Sequence, residues 1–323
     1  MDLSFISNSK TFMDMNTKFL LFCVKVVVFV GFLFAIDRVV GAAFVSMKDM
    51  GLKKNPENMW LKTPFVVEKV NSDVVIIGSS KASRHYVPKM LEDSLGMTVY
   101  NCGQDGCFFL YQNCIINMLL DRYNPKIIIW DIQPSTFTIY DRDEYQNIRY
   151  LSPYYDHSLW AKRYIDSESS KMPVRMQSRM FAYNSKVLNY LFPLISGGSK
   201  TENGYIPLPN EGYNYPEKRR SEESEVQYSP NKKYLSLLSA TLERCEEKGV
   251  AVQLFISPEY NYESDAYLAA VKDIGRVSFD KGVRCHNYHS LTTCDSTMFK
   301  DACHLNDKGA RIYTEKVVQD MSR

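Results

Sequence analysis

Three stretches of the chain are apolar with almost no alternation: "DVVIIG" (residues 73–78), "PKIIIWDI" (125–132) and "VAVQLFIS" (250–257). A strand with one wet face alternates apolar and polar residues. A run of Val and Ile bounded by turn signals reads instead as a strand buried on both faces. Between these runs lie segments of helical character. "VPKMLEDSL" (87–95) is a short amphipathic helix, "MTVYN" (97–101) a second strand and "CFFLYQNCIINMLLDRY" (107–123) a longer helix. Further on, "KKYLSLLSATLERCEEKG" has helical periodicity closed by Gly249, "SDAYLAAVKDIGRVSFDKG" is another helix, and "VRCHNY" reads as a fifth strand. "NDKGARIYTEKVVQDM" ends the chain as a helix. Strands alternating with helices predict an α/β fold, a three-layer αβα arrangement with about five parallel strands covered on both faces. In such sheets functional sites lie at the carboxyl ends of the strands.

The rhythm stops between about residues 134 and 230. This segment is polar, aromatic and rich in turn residues, and it holds much of the tyrosine, 22 residues in the whole chain. A plain loop of that length is implausible in a compact domain. It reads as an insertion after the third long strand, partly helical around 176–192, sitting over the sheet edge. A chain of 323 residues accommodates one α/β domain with such an insertion, or two modest domains.

The N-terminal part is of another kind. Residues 19–36, "FLLFCVKVVVFVGFLFAI", carry a single charge, Lys25. As a helix they are about 27 Å long at 1.5 Å per residue, close to the thickness of a bilayer core. They are apolar on all sides, which argues against a buried soluble helix. The alternative is a cleaved signal peptide, for which "VGAA" (40–43) is only a weak cleavage site. The organisation expected is a tail at 1–17, a transmembrane anchor at 18–36, a polar connector at 37–72 and a main domain at 73–323, interrupted at about 134–230. Lys10 and Lys18 precede the anchor; Arg38, Lys48, Lys53 and Lys54 follow it. Charge counting alone would put the main domain inside the cell.

The formal net charge of +2 gives no reason to expect nucleic acid as a partner. One of the eight cysteines, Cys23, lies in the apolar run, and the odd number left argues against a full disulfide framework. Cys285 and Cys294 are spaced to pair across a short loop; buried free thiols are the equal alternative. The Cys102–Cys107 and Cys294–Cys303 spacings match no common zinc pattern, so no metal site is expected.

Three pieces fall at strand ends: "GSS" (78–80), "NCGQDG" (101–106) and "DACHLNDKGA" (301–310). Each alone has a plain structural use, as an N-cap, a tight turn and a capping aspartate beside a surface histidine. Together, at converging strand ends, they hold what acyl chemistry requires. A serine hydroxyl becomes a nucleophile when a base takes its proton. Histidine is the natural base near neutral pH. A carboxylate fixes the imidazole tautomer and stabilises the imidazolium. Asp301 and His304, spaced i, i+3, would share a face in one helical turn. The N–H groups of Ser80 and Gly103 are candidate oxyanion donors. Ser80, on the sharp turn into the helix, rather than Ser79, is expected to be the nucleophile. His157, His286 and His289 show no carboxylate partner in the sequence. The chemistry calls for no cofactor.

The arrangement resembles the SGNH (GDSL-like) hydrolase superfamily. Gly78, Ser79 and Ser80 match its first block, with Ser79 where aspartate is usual. Gly103 matches the oxyanion glycine of its second block, and Asp301 and His304 match its final Asp-x-x-His. The third block, Gly-x-Asn-Asp, is missing: strand three ends in "WDIQPS", with Gln133 the only amide near the place of the usual asparagine. The resemblance implies a flavodoxin-like SGNH sheet and serine acyl-ester chemistry. The Gly-Ser-Ser form behind one membrane anchor is similar to membrane-tethered SGNH proteins of bacterial envelopes, among them the alginate-type O-acetyltransferases and the D-alanyl transfer protein. That similarity implies O-acyl transfer or deacylation on an envelope polysaccharide, an envelope glycan or acylated substrate as partner with a membrane acyl-transfer protein as a second, and a main domain outside the cytoplasm on the inner membrane. The rival expectation is an inactive SGNH-fold scaffold in an envelope complex, with the altered blocks as decay.

Overall fold

The computed structural model describes residues 4–138, 147–195, 201–212, 228–260, 264–291 and 295–321. The first element is one continuous helix, α1 (Ser4–Lys54). Its 51 residues span about 77 Å at 1.5 Å per residue. Part of α1 is long and apolar enough to cross a membrane, and the most apolar window is not buried against the protein at all. The helix does not stop where the apolar run ends. Residues 37–54, expected as the start of a polar connector, are helical, because Phe44, Val45, Met47 and Leu52 give this stretch an apolar stripe that packs on the domain. The expected tail is also helical from Ser4. The rest of the expected connector holds α2 (Lys62–Glu68), preceded by a 3-10 turn that Asn58 caps through the Trp60 N–H.

The α/β unit follows in chain order: β1 (Val74–Ile77), α3 (Ser80–His85), α4 (Pro88–Leu95), β2 (Val99–Asn101), α5 (Phe109–Arg122) and β3 (Ile127–Asp131). The insertion contributes α6 (Leu159–Asp166), α7 (Met172–Arg175), α8 (Arg179–Tyr183) and α9 (Val187–Ile195). The alternation then resumes with α10 (Lys232–Glu247), β4 (Ala251–Ile256), α11 (Asp265–Asp280), β5 (Arg284–Asn287) and α12 (Asp307–Met321). All strand pairs are parallel, in the order β2-β1-β3-β4-β5. This is the flavodoxin-like order, with β1 and β3 meeting at the point where the winding reverses.

The absence of alternation in the strand sequences has its cause in the two cores. Val74, Ile76, Ile129 and Phe255 face a core built with Tyr86, Leu91, Tyr313 and Val317 from the side of α4 and α12. Val75, Ile77, Ile128, Trp130 and Leu254 face the opposite core, with Phe109, Ile116, Leu238 and Ile274. Side chains alternate across a strand, so two apolar layers demand apolar residues at every position.

The insertion does two things rather than the one expected. Its helices extend the second core outward: Ile148, Leu151, Tyr164 and Ile165 join that core beyond α5. Residues 201–212 do run along the sheet edge, with Asn101 N–H donating to Asn203 O, Ile206 N–H to Ser83 O, and Asp307 N–H to Leu208 O. Many of its tyrosines are packing residues; Tyr154, Tyr164, Tyr183, Tyr190 and Tyr205 are all buried.

Candidate active site

The Gly-Ser-Ser turn divides its two serines between two tasks. Ser79 is the N-cap of α3, extended in backbone, and its hydroxyl accepts the Lys81 N–H at 3.4 Å. Ser80 is the first helical residue, so its own N–H has no acceptor within the helix. Its Oγ lies 2.8 Å from His304 Nε2. On the other side of the ring, His304 Nδ1 lies 2.9 Å from both carboxylate oxygens of Asp301. Ser80, His304 and Asp301 therefore form one continuous hydrogen-bonded chain.

Asp301 and His304 do not share a helical turn. Residues 301–304 are a bend before α12, held together by Asp301 itself, whose Oδ1 accepts the Cys303 N–H at 2.8 Å and the His304 N–H at 2.9 Å. The spacing works because the aspartate folds the backbone around its own side chain. Partial burial pushes the Asp301 carboxyl up, but the His304 ring and these two N–H groups outweigh it and hold the carboxyl below the usual carboxylate range. The group is thus an anion at neutral pH.

Gly103 sits against α3: a Cβ there would meet Ser83 N at 2.5 Å and Ala82 Cβ at 2.8 Å. Only glycine permits that approach. Its N–H, however, donates to Asn101 Oδ1 at 3.0 Å, so the donor assigned to an oxyanion is engaged within the protein. Asn101 is in turn held by donating to Ala82 O and Tyr86 O. Gln133 lies beyond β3 as the cap of a 3-10 turn, its carbonyl accepting the Thr136 N–H.

Several residues that sequence reasoning passed over support this arrangement. His85, fully buried in α3, accepts the Leu305 N–H through Nε2 at 3.0 Å and so fixes the residue next to His304. Burial, with Lys81 and His304 adding to it, holds His85 well below the ordinary histidine pKa, so it is neutral. Lys81, next to Ser80, pairs with Glu259 at 2.8 Å, both side chains nearly buried. Burial opposes charge on each, yet their attraction raises Lys81 and lowers Glu259. Asp131, at the end of β3, is buried, and burial pushes its carboxyl up; Oδ1 accepts from Tyr86 OH at 3.0 Å and from Ser257 N–H at 3.2 Å. None of these contacts has a local signal, for their partners lie 45 to 220 residues apart in the chain.

His286 stacks on Phe255 with centroids 4.6 Å apart, and His289 packs on Tyr267 at 4.4 Å. Among the described residues no cluster of His, Cys, Asp and Glu is arranged to hold a metal. Cys285 is a free thiol, and Cys294 lies outside the described residues.

No protein-family model matches the chain, and no curated protein does. Among solved structures the chain is similar to the psychrotrophic esterase EstA from Pseudoalteromonas sp., at 10% identity over 77% of this chain and 96% of that one, TM-score 0.39. It is similar to a family two carbohydrate esterase from Clostridium thermocellum, in complex with cellohexaose, at 6% identity over 77% of this chain and 63% of that one, TM-score 0.41. It is also similar to LAE5, an alpha/beta hydrolase from the metagenome of Lake Arreo, at 11% identity over 80% and 98%, TM-score 0.39. At these scores the likeness is too loose to carry a function to this chain.

Proposed function

We propose that this protein is a serine-dependent enzyme of acyl-ester chemistry, tethered to a bacterial inner membrane by residues 19–36 with its main domain outside the cytoplasm. Its substrate would be an O-acyl group on an envelope polysaccharide or an acylated partner, moved or removed. The observation that carries the chemistry is the 2.8 Å contact between Ser80 Oγ and His304 Nε2, backed by Asp301 on Nδ1. The membrane and glycan parts rest on the apolar run and on the resemblance to tethered SGNH proteins.

In this reading Ser80 Oγ attacks the acyl carbonyl carbon as its proton passes to His304 Nε2. Asp301 keeps the Nδ1 proton in place and stabilises the imidazolium. The tetrahedral intermediate collapses as His304 returns the proton to the departing sugar oxygen. The acyl-serine left behind is attacked by water, which is deacylation, or by another hydroxyl, which is transfer. The Ser80 N–H is one oxyanion donor; Gly103 becomes a second only if it turns from Asn101 to the substrate.

That last condition favours a second reading: an inactive scaffold with the same fold. The engaged Gly103 N–H and the missing third-block asparagine speak for it. One experiment separates the two. The full-length protein in detergent is treated with a fluorescent alkyl phosphonate and the labelled peptide is mapped. The enzyme reading expects an adduct on Ser80 that disappears in Ser80→Ala and weakens sharply in His304→Ala. Absence of any adduct, or one on Ser79, rejects it.

A further inference from the structure

The surface around residues 171–180 is a basic and apolar shoulder that the chemistry above does not use, and its position relative to the apolar run is fixed by specific bonds. Asp37 is the first residue after that run. Its carboxylate accepts the Ser178 hydroxyl at 2.5 Å, the Arg179 N–H at 2.9 Å and the Met180 N–H at 3.0 Å. Arg38 donates to Gln177 O at 2.8 Å. One turn further along α1, a Cβ on Gly41 would meet Arg179 Cβ at 2.5 Å, so glycine is what lets the insertion close on the helix here. Residues 177–180 are thereby held level with the point where α1 would leave the bilayer.

From this contact the chain carries its buried residues one way and its exposed ones the other. Met172, Met176, Ala182 and Tyr183 anchor α7 and α8 in the core. Val174 is 76% exposed and Met180 41%. Around them stand Lys171, Arg175 and Arg179, all exposed, and the stretch 169–184 contains no Asp or Glu. The nearest acids upstream are engaged elsewhere, Glu168 by Arg149 and Asp166 by Tyr155 OH. Exposed apolar side chains among cations, at the height of a membrane surface, match what the headgroup region of an anionic bilayer takes.

We propose that residues 171–180 are a second membrane contact, seated in the headgroup layer beside the anchor and selective for anionic lipid. The proposal rests on the reading of residues 19–36 as a membrane span. A single helix leaves the domain free to swing about its exit point; a second contact fixes its orientation. The orientation so fixed has a direction. Lys48 on α1 pairs with Glu68 at the end of α2, while Leu61, just before α2, touches Gly51 nearer the end of α1. Lys62 then donates to Gly204 O, and Gly204 abuts Asn101 at the carboxyl end of β2. The carboxyl edge of the sheet, with Ser80, therefore lies toward the far end of α1. From Asp37 to Lys54 that helix rises about 26 Å at 1.5 Å per residue. The site would face away from the bilayer, suited to a substrate chain standing off the membrane.

The test uses the full-length protein in vesicles of phosphatidylethanolamine and phosphatidylglycerol, with the photo-crosslinker benzoylphenylalanine placed singly at Val174, Val28 or Phe279. Val28 lies in the apolar run, and Phe279 is an exposed residue on α11. The expected result is crosslinking to phospholipid from positions 174 and 28 and none from 279. Lys171→Glu with Arg175→Glu should lower the crosslink from 174 by about tenfold and leave that from 28 unchanged, since each cation near an anionic surface contributes separately. Crosslinking from 28 but not 174 overturns the proposal while the anchor stands. Equal crosslinking from 174 and 279, or no effect of the charge reversals, also overturns it. Absence of crosslinks from both 28 and 174 removes the anchor reading and the proposal with it.

Discussion

Asp301 carries two loads through one carboxylate: it folds the 301–304 bend around its Oδ1 and it faces the His304 ring with both oxygens. Asparagine keeps an acceptor oxygen for the two backbone N–H groups but offers an NH2 where the second oxygen stood. Asp301→Asn is therefore expected to melt near the wild-type temperature while turnover on any accepted ester drops by about four orders of magnitude, as when a triad aspartate is replaced. Wild-type activity in that variant would reduce Asp301 to a backbone staple. Because its folded pKa is depressed, the stability linked to Asp301 is present above the ordinary carboxylate range and is lost only as pH falls through the folded value. His85 carries the same sign from a different cause, burial of a neutral ring. It is neutral when folded and binds a proton when unfolded, so the unfolded state gains protons first as pH falls below about 6.5. Stability should then fall by about 1.4 kcal/mol per pH unit from this one group. Urea unfolding in micelles between pH 7 and 5, compared with His85→Gln, measures the difference in slope; equal slopes would show that His85 is not held neutral.

α3 is short, and side chains rather than its own length secure its start. At its start Ser79 caps it; Ser79→Ala should cost about 1 kcal/mol, and Ser79→Gly only a few tenths. Neither should abolish phosphonate labelling at Ser80, since the cap and the proposed nucleophile are different residues. The next residue ties α3 to the segment after β4 through the buried pair Lys81–Glu259. Removing one partner leaves a buried charge, so Glu259→Gln is expected to destabilise by about 3–5 kcal/mol. The double change Lys81→Met with Glu259→Leu should recover most of that, because a buried pair and an apolar replacement are often close in energy. Thermal melts of the three variants decide it: a double variant no better than Glu259→Gln would mean that the pair does more than satisfy itself.

At the scale of the molecule, α1 is both the apolar run and a packed element of the domain. Its second half is held by Lys54 on Leu194 O, by Lys48 on Glu68 and by Phe44 beside Tyr183. Under the proposed reading, a membrane helix that continues into the core without a flexible joint would transmit its tilt to the candidate site. Full-length protein is expected in the pellet after carbonate washing of membranes from a producing bacterium. A shortened, released chain beginning near Phe44 would instead show a cleaved leader. Cleavage there would also remove Asp37 and Gly41, the residues that hold α8, so the released form should lose cooperativity in melting.

How much of this was legible in the chain follows the range over which each interaction acts. Strand and helix placement is local: unbroken Val and Ile runs, helical periodicity and polar breaks are written in consecutive residues, and all five expected strands are present. The αβα layering followed from those runs, because apolar residues on both sides of a strand require two cores. The residue types brought together at Ser80, Asp301 and His304 were also visible as short motifs, although Asp301 and His304 sit in a bend before α12 rather than at the end of β5. What joins them was not. Leu305 meets His85 across 220 residues and Lys81 meets Glu259 across 178, and neither residue bears a mark of its partner. Whether the Gly103 N–H stays available depends on where the Asn101 side chain points, which the surrounding backbone carbonyls decide. Residues 37–54 looked like a connector because their apolar stripe is narrow, and it becomes a helix face only against the insertion that packs on it. The sequence by itself determined the strands and helices of the α/β unit, its layers and the inventory of reactive groups, since these depend on neighbours along the chain. Only the tertiary structure decided that the Gly103 N–H is engaged by Asn101, how the insertion grips α1, and which way the sheet's carboxyl edge points, since those depend on neighbours in space.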